Sequence, residues 1–156
     1  MNASRTRASL PYRLAILAVS LLTLIMSGCS ITLISNYDEV TDKSATELQK
    51  KVEHFLLTMQ AAHGTSAGEY ANNKAFYDES TVALSAMRLR AGAIPHNERT
   101  VEQIGEIEKN IDRLRQLHEQ RGPAGLTKTL VDPIRTLINT QFKAILTLEI
   151  AKKRGT

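Results

Sequence analysis

Tryptophan is missing from this chain, and among its 156 residues there are only four tyrosines, three phenylalanines, four prolines and a single cysteine, Cys29. A lone thiol can form no intramolecular disulfide and has no second thiolate with which to hold a metal, so stability has to come from packing. The motifs of common chemistries are also missing. There is no His-Glu-x-x-His, no Gly-x-Ser-x-Gly nucleophile elbow and no glycine-rich phosphate loop. His54, His63, His96 and His118 are scattered without a pair at helical spacing, which excludes the usual helical metal site. No metal and no cofactor is expected, and no catalytic residue is assigned.

What is present is concentrated first at the N-terminus. Arg5, Arg7 and Arg13 precede an apolar run from Leu14 to Met26, and Ser27-Gly28 then lead into Cys29. At 1.5 Å per residue the run rises roughly 20 Å, short of a hydrocarbon core of about 30 Å. A basic start, a short apolar middle and small residues at the end are the three parts of a secretory signal. These residues resemble a bacterial lipoprotein signal peptide with its lipobox. The resemblance implies cleavage between Gly28 and Cys29, acylation of Cys29 by a diacylglyceryl and then a fatty acyl group such as palmitate, and stable anchoring by several chains. Met26 departs from the commonest lipobox, and Ser30 follows the cysteine where Asp would favour the inner membrane, so the outer membrane is implied. The alternative is an uncleaved signal anchor from Leu14 to Ile34, because Ile31, Leu33 and Ile34 continue the apolar character. Either reading places the remainder outside the inner membrane.

The signal also accounts for the charge. The full chain carries +4 with a pI near 9.3, a balance that would suggest nucleic acid or an anionic surface. Residues 1–28 hold three of the 20 bases and none of the 16 acids, so the mature part is close to neutral. Nucleic acid is therefore excluded as a partner.

Three breaks divide the mature part, which is long enough for one core. They lie at His63–Gly68, at Gly92–Arg99 around Pro95, and at Arg121–Asp132. The first segment carries Ala45, Leu48, Val52, Phe55, Met59 and Ala62 on one helical face, with Ser44 and Glu47 as a candidate capping box or a start one turn earlier at Asp38–Asp42. The third carries Ile104, Ile107, Ile111, Leu114 and Leu117, with Thr100 and Gln103 as its box and His118 at a frayed end. In the fourth, Asp132-Pro133 reads as N-cap and first helical residue, followed by Ile134, Leu137, Ile138, Phe142, Ile145 and Leu148. Lys152, Lys153 and Arg154 suit the negative end of its dipole. The expected fold is all-α, an antiparallel up-down four-helix bundle at 41–156 after a signal at 1–28 and a lipidated tether at 29–40.

The second segment, about Tyr70–Ala91, bears two stripes. Tyr77, Ser80, Leu84, Met87 and Ala91 form one; Ala75, Val82, Ala86 and Leu89 lie elsewhere on the helix. Val82 and Leu89 are read either as the edge of the core or as a face on which a partner docks. Two groups of charges on the third segment, Glu102, Glu106 and Lys109, and Glu108, Asp112 and Arg115, have the spacing of solvated helical ion pairs rather than of a carboxylate pair for glycoside hydrolysis. Tyr70 and Tyr77 are read as core edges with hydroxyls in water.

The segments from Tyr37 to Lys51 and from Ala144 to Lys153 resemble those of small helical envelope lipoproteins of unassigned activity. The function so implied is a lipid-anchored, periplasm-facing, non-catalytic module that binds an envelope protein. The rivals are a binder or immunity-type inhibitor of a toxin, hydrolase or phage component, and an enzyme or metal carrier acting on the cell wall.

Overall fold

The computed structural model describes residues 34–155. Four helices run in order: α1 (Glu39–Ala61), α2 (Lys74–Gly92), α3 (Glu98–Arg121) and α4 (Lys128–Gly155). Short 3-10 turns at Ser66–Gly68, Tyr70–Asn72 and Gly122–Ala124 fill the connections at one end. The helices pack in a ring, α1 against α2 and α4, and α3 against α2 and α4. Neighbours are antiparallel, since the start of α1 meets the ends of both α2 and α4 through Asp38–Arg90 and Asp38–Glu149, and the start of α3 meets the end of α4 through Thr100–Glu149. The fold is the expected all-α four-helix bundle.

The ring closes over an apolar core. Ala45, Leu48, Val52, Phe55 and Met59 from α1, Tyr77, Leu84 and Met87 from α2, Ile104, Ile107, Ile111 and Leu114 from α3, and Ile138, Phe142 and Ile145 from α4 are all buried. These are the expected stripes, and each fully buried Leu, Ile or Phe contributes about 1.5–3 kcal/mol. Leu137 departs from expectation. It is about half exposed, because Ile138 and Val131 occupy the inward register of α4.

The helix starts decide between the two readings offered for α1 and correct the sequence reading for α3 and α4. Asp38, not Ser44, caps α1, its carboxylate accepting from Val40 and Thr41 N–H; this is the earlier of the two starts considered. Helix α3 begins at Glu98, and Thr100 spends its hydroxyl on Glu149 instead of on a capping box. Helix α4 begins at Lys128, where the Thr127 carbonyl accepts from Leu130 and Val131 N–H. Pro133 therefore sits in the second turn of α4, not at its start. The carbonyl it leaves without a helical partner belongs to Thr129, an exposed residue at which the cost is small.

Part of the segment read as a tether packs on the bundle. Of residues 29–40, Ser35 to Asp38 are held on the bundle: Ser35 N–H donates to the His96 carbonyl at 3.0 Å, and Asp38 N–H to Glu149 Oε2 at 3.1 Å. Among the described residues no helix is long and apolar enough to cross a membrane. Gly28, Cys29 and the signal lie outside the described residues.

Candidate functional site

Helix α2 is narrow on its buried side, where Tyr77, Ser80, Leu84, Met87 and Ala91 face the core. Its second stripe points away. Val82 is 69% exposed and Leu89 75%, so the core-edge reading of these two residues does not hold. They are the most exposed large apolar side chains among the described residues, two turns apart on one face.

Beside that ridge runs the seam between α2 and α3. A cleft of about 330 Å³ has Tyr77, Leu84 and Ile111 in its lining, with Arg115 and Asp112 at its edge. A second of about 660 Å³ continues past Leu89 to Gly92 and Val101. The two share Ser85 and Glu108, so they form one groove along the seam. Small residues open it: Ser85, Gly92 and Ala93 leave room that longer side chains would fill. Its charges are satisfied locally. Arg88 donates to Glu108 at 2.9 Å and Arg115 pairs with Asp112, while Lys109 bonds Glu106 and Arg99 bonds Glu102. Glu102, Glu106 and Asp112 are thus ion-paired within α3 on a solvated surface, as their spacing implied, whereas Glu108 pairs across the seam with Arg88 of α2.

At the end of the bundle where α1 starts and α4 finishes lies a polar cluster that sequence reasoning missed. Glu149 and Lys152 were placed respectively in no role and at the helix dipole, but both are buried. Lys152 Nζ donates to Glu149 Oε1 at 2.5 Å, to Asn97 Oδ1 at 2.6 Å and to the Thr100 hydroxyl at 2.9 Å, which exhausts its three protons. Glu149 accepts in addition from the Thr100 hydroxyl and from Asp38 N–H. Asn97 completes the set by accepting from the Ser35 hydroxyl and donating to the Ala91 carbonyl. The Arg90 guanidinium grips the Asp38 carboxylate with two bonds of 2.7 Å and holds it well below the usual carboxylate range. Every named polar side chain here has its partners, so the cluster is a closed staple joining the chain's first described residues to three helices. The one available sequence signal was a Glu and a Lys at i,i+3 in an otherwise apolar register of α4.

The opposite end is aromatic. His118, read as lying at a frayed end, is fully buried, and so is Tyr77, read as a core edge with its hydroxyl in water. The Gly68 carbonyl lies 2.8 Å from His118 Nε2 and can only accept, so Nε2 carries the proton and Nδ1 accepts from the Tyr77 hydroxyl at 2.8 Å. Phe55, Phe76 and Tyr70 pack around the pair. Burial pushes the His118 pKa down, and the bond to Gly68 offsets this only in part. This arrangement locks the α1–α2 connection onto α3. Among the described residues no three His, Cys, Asp or Glu side chains converge as a metal site.

No protein family, no curated protein and no solved structure matches the chain.

Proposed function

We propose that the protein is a lipid-anchored helical module of the cell envelope, held in the membrane through Cys29, facing the periplasm, and acting without catalysis by docking a protein partner along α2. One observation carries the docking reading: Val82 and Leu89, the most exposed large apolar side chains among the described residues, stand beside the α2–α3 groove. An isolated exposed leucine is ordinary, but a ridge two turns long beside a groove is the form in which a partner helix or segment is received. The anchoring half is supported by the basic start, short apolar run and Ser27-Gly28-Cys29 of the sequence, and Ser30 supports the outer membrane.

The test is the pair Val82→Asp and Leu89→Asp. Both side chains are exposed, so each replacement should change stability by less than about 0.5 kcal/mol. A photo-crosslinking residue at Ser85 should then capture a discrete envelope protein in cells carrying the native ridge, and lose it with the double replacement. Capture that is unaffected by charging the ridge refutes α2 as the docking face. A large fall in melting temperature refutes the assignment of these residues to the surface.

A further inference from the structure

The proposed anchor and the staple together constrain how the body is presented. With Cys29 as the lipid attachment point, a free tether of residues 30–40 would span up to roughly 40 Å at about 3.5 Å per residue. The staple removes half of it. Ser35 is bonded through its N–H to the His96 carbonyl and through its hydroxyl to Asn97; Asp38 is bonded through its N–H to Glu149 and through its carboxylate to Arg90. Only residues 30–34 then separate Cys29 from the first docked residue, a reach of no more than roughly 20 Å. The bundle is longer than that link, since α1 alone extends about 35 Å.

The end that the link approaches has a distinct surface. Ile34, Val40 and Ile150, three of the exposed large apolar side chains, belong to the first described residues, the first turn of α1 and the last two turns of α4. Arg154 and Lys153, the latter over the Tyr37 ring at 5.0 Å, lie on those same last turns, and the exposed Glu39 carboxylate is met by Lys43. Apolar side chains among cations suit an interfacial contact with lipid head groups.

Resting on the reading of Cys29 as the anchor, we infer that the bundle stands end-on against the lipid surface, staple end down, with Ile34, Val40, Ile150, Lys153 and Arg154 as its membrane-contact surface. The staple is the device that sets this orientation. It also orders the docking ridge: Leu89, next to Arg90, lies at the membrane end of α2, and Val82 two turns farther out.

Acylation leaves the mature chain without a free thiol, so a single introduced cysteine can carry a fluorescent donor. The acylated full-length protein is prepared with either Glu98→Cys at the staple end or His63→Cys at the far end, and reconstituted in phosphatidylcholine–phosphatidylglycerol vesicles containing a head-group acceptor. Energy transfer should be severalfold greater from position 98 than from position 63. A flexible 20-residue insertion after Ser30, which leaves the body untouched, should bring the two efficiencies together. Replacing Lys153 and Arg154 by Glu should reduce transfer from position 98. Equal transfer from both positions in the uninserted protein overturns the end-on orientation, and transfer insensitive to the two Glu replacements overturns the contact surface. An N-terminal peptide that lacks acyl mass refutes the anchor instead, and the two failures are thereby distinguished.

Discussion

Replacing Lys152 with Met isolates the staple. The side chain is of similar length, so the main effect is to leave the Glu149 carboxylate buried without its cation, while Asn97 and Thr100 each lose a charged donor. Breaking a buried pair from one side costs about 3–5 kcal/mol. With a melting entropy near 2.1 cal/mol/K per residue, a body of roughly 120 residues loses about 4 °C per kcal/mol, so the expected fall is about 12–20 °C. Thermal unfolding followed by far-ultraviolet circular dichroism at pH 7 reads it directly. The neighbouring Lys153→Met is the control, since Lys153 is exposed and loss of its contact over the Tyr37 ring should cost no more than about 1 kcal/mol. A further signature separates a desolvated charge from lost packing. Glu149→Leu combined with Lys152→Met removes both charges and should be less destabilised than Lys152→Met alone. A Lys152→Met protein that melts within about 3 °C of the Lys153→Met control, or a double replacement whose loss is the sum of the two single ones, refutes the reasoning.

Other consequences are checked more briefly. His118 has a folded pKa below its unfolded value of about 6.5, so the unfolded chain binds more protons and stability should decline as pH falls from about 6.5 toward the folded value. Urea midpoints between pH 5 and 7.5 should show this slope, and His118→Gln, which does not titrate, should flatten it; Asp38 and Glu53, whose pKa values are lowered by Arg90 and Arg135, contribute only below about pH 4.5. Gly68→Ala would drive a Cβ into the Ala62 carbonyl oxygen, forcing the α1–α2 connection away from its seat. A loss of about 2–3 kcal/mol in chemical denaturation is expected, and a neutral result would show that this connection yields freely. Cys29→Ser should release the protein from membranes or stall its processing; a Cys29→Ser protein that is cleaved and still membrane-bound, with no retained signal, would refute acylation as the anchor.

The legible part of the fold was periodic. Leu48, Val52 and Phe55 in α1, or Ile104, Ile107 and Ile111 in α3, recur at the helical repeat, so their faces could be assigned before any partner was known. Caps were less legible because Ser, Thr and Asp suit several roles: Thr100 has the spacing of a capping box yet serves Glu149. Val82 and Leu89 were identifiable as off-stripe, but not as exposed, since a single helix does not reveal how wide a face its neighbours cover. His118 and Tyr77 were misread for a related reason. A residue near a helix end is exposed or buried according to which loop folds over it, and here the partners of His118 are more than forty residues away in sequence.

By itself the sequence determined the helical class, the number of helices and the inward face of each, because those follow from local spacing and from breaks in the chain. It also determined the expectation of a lipid anchor at Cys29. Only the tertiary structure decided that Lys152 and Glu149 are interior, that Ser35 to Asp38 are docked, and that the ridge of α2 is left open. Burial and pairing of charges depend on which helix ends meet, and the ring α1–α2–α3–α4 brings together groups separated by as many as 111 positions. No local pattern carries that information.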